Sequence, residues 1–180
     1  MEILRILLLA VLLAAVAAEP QATASLDQKV KAAYLYNFAK FVEWPPESAT
    51  PNSNALAVCV LDDEAFAEVV EQTVRGKTAN GRPFVVRRNP EPQQIRSCHI
   101  LFIGAVERKR WGRLVEAVAG SGVLTVSDTD RFTHIRGIIN FIVEGNRIQF
   151  EVNVDAVARS GLRISSRLLQ VARVVRDEGK

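Results

Sequence analysis

The chain has 180 residues, 48% of them hydrophobic and 24% charged, the balance of an ordinary globular protein with a sizeable core. That excludes a wholly disordered chain, a collagen and a dense disulfide scaffold. A formal net charge of +3 and a pI near 9.1 are a mild basic bias, too weak to support nucleic-acid binding by themselves.

Residues 1–18 read MEILRILLLAVLLAAVAA. One arginine, Arg5, precedes an apolar run over 6–17, and Ala15-Val16-Ala17 and Ala22-Thr23-Ala24 each fit a small-residue cleavage pattern. This is the layout of a secretory signal peptide, and the run is shorter than the roughly 20 residues a bilayer span needs. The expected organisation is a signal peptide over 1–24, cut between 17 and 24, and one domain over 25–180. An uncleaved N-terminal anchor is the competing reading. In a Gram-negative host the mature chain would be periplasmic.

Residues 26–44 predict the first helix, with Val30, Tyr34, Asn37, Phe38 and Phe41 on one side and Lys29, Tyr36, Lys40 and Glu43 on the other. Pro45-Pro46 ends it. A polar loop over 48–54 leads to a buried strand over 56–61, and Asp62-Asp63-Glu64 then caps a short helix reaching about 71. A turn region over 76–81 precedes a strand over 84–87, a proline-rich loop over 89–93 and a strand over 100–103. A helix over 108–119, a break at Gly120-Ser121-Gly122 and a strand over 123–126 follow. Residues 138–143 and 148–152 form a hairpin about Glu144-Gly145-Asn146, and two helices over 154–160 and 165–175 are split at Gly161. Alternating strands and helices imply a single α/β domain with a mainly parallel sheet, made mixed by the hairpin and flanked by helices.

Cys59 and Cys98 are the only cysteines. In an oxidising compartment an even pair reads as one disulfide, reachable if their strands are neighbours. Two buried free thiols are the alternative. No C-x-x-C supports zinc or thioredoxin chemistry.

Catalytic and cofactor motifs fail one by one. Gly76-Lys77-Thr78 resembles the end of a P-loop, but the position that needs the first glycine is Glu71. Asp62 and Asp63 suit helix capping better than a magnesium site. His99 and His134 have no metal-like partner at useful spacing and read as structural or solvent-facing. No G-x-S-x-G is present. The chain is therefore expected to be no enzyme and to carry no cofactor or metal. Arg159, Arg163 and Arg167 recur every four residues around Gly161, a pattern that fits a solvated face or a basic patch. Tyr36, on the polar side of the first helix, is a contact candidate, the alternative being burial beneath a loop.

Three stretches carry a family resemblance: residues 30–45 (VKAAYLYNFAKFVEWP), residues 97–103 (SCHILFI), and a set running from 122–128 (GVLTVSD) through 147–153 (RIQFEVN) to 161–169 (GLRISSRLL). Together they resemble the YfiR family of exported bacterial proteins over nearly the whole mature chain. The resemblance implies a periplasmic α/β protein that represses an inner-membrane diguanylate cyclase. It would bind that enzyme's periplasmic sensor region and so lower cyclic di-GMP and restrain biofilm growth. An outer-membrane lipoprotein would sequester it, and a homodimer is a further partner state. Cys59 and Cys98 match a family cysteine pair. Some members carry a second pair in the hairpin region, and here nothing between Thr133 and Asn140 is cysteine. Within the third stretch, Glu151, Asn153 and Arg163 are candidate partner or ligand contacts, against a solvated strand face for Glu151 and a helix cap for Asn153. A periplasmic small-molecule-binding module is the alternative function, since strand-end crevices of α/β sheets suit ligands.

Overall fold

A computed structural model describes residues 24–45, 54–104 and 108–177. The signal-peptide reading and the loop over 48–53 lie outside the described residues. In chain order the elements are α1 (Leu26–Phe41), β1 (Val42–Glu43), β2 (Leu56–Leu61), α2 (Glu64–Val74), β3 (Thr78–Ala79), β4 (Arg82–Arg88), a 3-10 turn (Ile95–Ser97), β5 (Ile100–Ile103), α3 (Arg108–Ala117), β6 (Leu124–Ser127), a second 3-10 turn (Phe132–Ile135), β7 (Ile139–Glu144), β8 (Arg147–Asn153), α4 (Val154–Ser160), β9 (Arg163–Ile164), α5 (Ser166–Gln170) and β10 (Arg173–Val175). No described helix is long and apolar enough to cross a membrane.

The main sheet has the order β10-β8-β7-β6-β5-β2-β4-β3. Neighbours from β4 to β7 run parallel, and the β7–β8 hairpin and β3 supply the antiparallel pairs. The expected single-domain α/β fold with a mainly parallel mixed sheet is thus present. β2 leads through α2 to β4 on one side, and β5 leads through α3 to β6 on the other. Right-handed crossovers stepping in opposite directions place their helices on opposite faces. Two cores result. Leu56, Val58 and Val60 of β2 join α1 and α2 residues on one face, while Cys59 and Leu61 join Trp111 and Val115 of α3, and Val118 just after it, on the other, the period-two alternation of a strand buried on both faces.

Four expectations need correction. The first helix ends at Phe41, not Trp44: the Val42 N–H still bonds back to Phe38, but Val42 and Glu43 turn extended and pair with β9. Its buried stripe is Ala32, Leu35, Phe38 and Ala39, whereas Asn37 is exposed. The two alanines matter because α1 packs against α2 as well as the sheet, and small side chains allow that approach. The stretch expected as a helix over 165–175 stops at Gln170, and Arg173–Val175 becomes β10, parallel to β8. Val174-Val175 is β-branched and finds the open edge of β8 beside it. The turn region over 76–81 contains β3, which pairs with the start of β4.

Cys59 and Cys98 form a disulfide with Cα atoms 5.9 Å apart. Asp63 caps α2 through the Phe66 N–H, as expected, while Asp62 sits in a left-handed turn and pairs with Arg110 at 3.0 Å. This is the carboxyl end of the β2–β5 boundary, where the chain's winding reverses and α/β ligands commonly bind. Here the chain itself fills the crevice on the β2 side: the Gly104 N–H bonds to Leu61 O at 2.9 Å, and a Cβ on Gly104 would lie 2.9 Å from the Asp62 carbonyl oxygen.

Candidate partner-binding site

The opposite, amino-terminal edge of the parallel strands gathers the segments that carry the resemblance. Trp44 is the link. Its Nε1–H donates to the His99 carbonyl at 3.1 Å, and its ring meets the His99 imidazole edge-on at 5.7 Å. This ties the end of the first stretch to the second. The β1–β9 ladder ties it to the third, with Val42 opposite Ile164 and Glu43 opposite Arg163. The Ser165 N–H extends the ladder to Phe41 O at 2.9 Å. Glu43, Trp44, Pro45, Gly161 and Arg163 line an open groove of about 360 Å³. Its lining combines an indole, a proline ring and the cross-strand pair of Glu43 and Arg163, and aromatic and arginine side chains are favoured at protein–protein contacts.

His99, which the Trp44 indole contacts, is itself tightly held. The ring is buried, and the Ala57 N–H donates to its Nδ1 at 3.0 Å. Its other nitrogen, Nε2, lies 2.8 Å from Arg82 Nη2, a cationic group that can only donate and so opposes a doubly protonated ring. Burial first, then the positive charges of Arg82 and Arg87, push the His99 pKa down to about 4. Arg82 turns a guanidinium N–H to the Ala55 carbonyl at 2.9 Å, and burial lowers its own pKa. His99 is thus a neutral structural histidine, as its sequence context suggests.

The candidates named from sequence do not form one cluster. Arg163 lies in the groove. Tyr36 is on another side of α1, half-buried, with its ring 5.7 Å from Phe84 and with Lys40 and Lys77 ammonium groups 4.0 and 4.9 Å from its centroid. Glu151 lies five strands from β4, toward the other edge, where it accepts from the Thr133 hydroxyl at 3.0 Å and from Arg173 at 3.4 Å. Asn153 is fully buried. Its Oδ1 caps α4 by accepting from Asp155 and Ala156, and its Nδ2 donates to Thr133 O and Asp177 Oδ1, both at 2.9 Å. The capping role occupies the whole side chain. Arg159 completes that network through Asp177, at 2.5 Å, and together with Asn153 holds the Asp177 carboxyl below its ordinary pKa. Arg159, Arg163 and Arg167 fall on α4, β9 and α5 respectively and share no helix face.

Trp44 was legible only as part of a helix stop. A tryptophan ahead of two prolines is a signal for a fixed, non-helical anchor, but its partner lies 55 residues away.

A profile of the YfiR/HmsC-like family matches residues 28–173. The chain belongs to this family. Membership makes it a member of a group of periplasmic regulators, and the disulfide is consistent with an exported location. Among solved structures, the chain is similar to an ABC domain in complex with L-Trp from Streptococcus pneumonia, at 11% identity and a TM-score of 0.47, covering 72% of this chain and 57% of that one. It is also similar to a conserved domain protein from Vibrio cholerae, at 11% identity and a TM-score of 0.46, covering 71% and 56%. The chain spans just over half the length of each.

Proposed function

We propose that this YfiR/HmsC-like protein represses an inner-membrane diguanylate cyclase by binding its periplasmic sensor region through the surface around Trp44. One observation carries the reading: the end of the first stretch that resembles the family and the 161–169 part of the third, distant in sequence, meet at the groove of Glu43, Trp44, Pro45, Gly161 and Arg163, with His99 of the second stretch bonded to Trp44. Tyr36 and Glu151 lie apart from this groove and would be separate contacts, and Asn153 holds α4 in place through its cap. Repression needs only differential affinity for one conformation of the sensor. A tenfold preference corresponds to about 1.4 kcal/mol, within reach of a few contacts. An outer-membrane lipoprotein competing for this protein, or a homodimer that hides the groove, would relieve repression by mass action.

The test is cellular cyclic di-GMP in a deletion strain, complemented with exported and leaderless forms and with Arg163→Glu. A rise on deletion that is reversed by the exported wild type, but not by the leaderless form or by Arg163→Glu, supports the reading. No rise under conditions where the protein is made would remove it. The second reading, a periplasmic small-molecule-binding module, is favoured by a cavity on the other face of the sheet.

A further inference from the structure

Between α3, the second 3-10 turn and α4 lies a cavity of about 380 Å³, at the small end of the roughly 300–1,000 Å³ range of ligand pockets. Its walls are apolar: Val115 of α3, Val118 just after it, Val123, Ile135, Ile138 and Ala156. Its charged lining is Arg136, Arg159 and Glu116, with His134 beside them. Arg159 is already engaged by Asp177. The exposed Arg136 guanidinium has no hydrogen bond or ion pair of its own among the described residues; it acts at longer range on the Asp177 carboxyl, whose pKa it helps to lower but which Arg159 and Asn153 already engage.

The backbone that presents Arg136 is costly to hold. Arg131 and Arg136, the two ends of the 3-10 turn, are both left-handed, at φ of 63° and 69°. Side chains other than glycine, asparagine and aspartate seldom adopt this conformation. The turn is clamped from within. Phe132 is fully buried, and its ring occupies the space a Cβ on Gly137 would need, 2.2 Å from that position. The turn thus sets an exposed cation beside an apolar cavity on backbone in a sparsely populated conformation, an outlier of the kind that clusters at functional sites.

We propose that this cavity binds a small aliphatic monocarboxylate, with its chain against Val115, Val118, Val123 and Ile138 and its carboxylate on the Arg136 guanidinium. The apolar lining selects the chain and the Arg136 guanidinium takes the anion, while Glu116, the one carboxylate of the lining, is the competing charge that the octylammonium arm tests. The site lies on the α3 side of the sheet, and it deepens the small-molecule reading without depending on the repressor reading.

The experiment is calorimetric titration of the mature protein with sodium octanoate, octylammonium chloride and 1-octanol. Saturable one-to-one binding of octanoate is expected, at least tenfold tighter than that of octylammonium. Arg136→Gly should weaken octanoate at least tenfold. Glycine adopts the positive φ without strain, so this variant should melt no lower than wild type. Val115→Phe, which fills the cavity, should weaken octanoate and octanol alike. Absence of saturable octanoate binding at millimolar concentration overturns the proposal. Equal affinity for octylammonium does too, as does binding that is undiminished in both variants. Because the readout is binding to the purified protein, its failure leaves the cyclic di-GMP experiment untouched, and the reverse also holds.

Discussion

The disulfide gives the sharpest energetic prediction. Cys59 is in β2, and Cys98 closes the connection that leaves β4, passes β2 and enters β5. The bond therefore pins a crossover to the strand it crosses. The cysteines are 39 residues apart, and the chain-entropy relation for a loop of that length gives about 4 kcal/mol of stabilisation through the unfolded state. For a domain of this size each kcal/mol moves the melting temperature by about 2–4 °C, so losing the bond should lower it by roughly 8–16 °C. Both sulfurs are buried, at 0% and 2% exposure for the two residues. The appropriate variant is accordingly the double alanine, Cys59→Ala with Cys98→Ala, since serine would add the separate cost of a buried hydroxyl. Melting followed by far-UV circular dichroism, with and without a phosphine reductant, separates the parts. Reduced wild type and the double variant should melt within a few degrees of each other and far below oxidised wild type. A fall of less than about 3 °C in both would show that the unfolded chain is not appreciably constrained by the bond, and the entropic account would be wrong.

Two further predictions rest on buried polar groups. His99 has a pKa of about 4 in the folded chain and 6.5 unperturbed. Between these values the unfolded chain takes up a proton that the fold refuses, so stability falls as pH drops from 6.5 toward 4 and this contribution is constant above 6.5. His99→Asn keeps an acceptor for the Ala57 N–H and removes the titration; its melting temperature should fall less than that of wild type across the same window, and parallel curves would refute the assignment. Asn153→Asp replaces the amide that donates to Asp177 with a second carboxylate, and it also strands the Thr133 carbonyl. A loss on the order of 2 kcal/mol is expected in urea unfolding at neutral pH, partly recovered by adding Asp177→Asn; an unchanged urea midpoint would contradict the described network.

Much of the fold was legible because the central strands are apolar on both faces. The runs over 56–61 and 100–103 have no helical period and no polar face, and they became β2 and β5. The hairpin announced itself through Gly145 between an apolar run and an alternating one. What was not legible depended on partners distant in sequence. Val42 and Glu43 continue an apolar-polar pattern that a helix accommodates equally well, and only β9, about 120 residues later, makes them a strand. Arg173–Val175 likewise needs the edge of β8. The site suffered most. Asn153 had a local signal, a cap before α4, and that signal was sufficient. Arg163 had none beyond the resemblance, because its opposite number in the ladder is Glu43. Arg136 had no signal at all, since a left-handed arginine is imposed by the turn it closes and not by its own preference.

That last point can be tested on two glycines that look alike in sequence. Gly161, at the end of α4, has φ of 77°, and an added Cβ would come no closer than 3.6 Å to the Pro45 ring. Gly161→Ala should therefore cost only the left-handed penalty of about 1–2 kcal/mol. Gly137 has no such φ, so backbone preference alone would call alanine harmless there. Yet the Cβ would sit 2.2 Å from Cε1 and 2.3 Å from Cδ1 of Phe132, a ring that is fully buried against Trp111 and Val115 of α3 in the second core. The ring must move or the turn must open, and overpacking of this kind costs about 1–3 kcal/mol or more. Gly137→Ala should also weaken octanoate, because the displaced turn carries Arg136, whereas Gly161→Ala should not. If Gly161→Ala proves the more damaging of the two to stability, the Phe132 clamp is not what holds the turn, and the rationale for a preorganised cation at the cavity mouth falls with it.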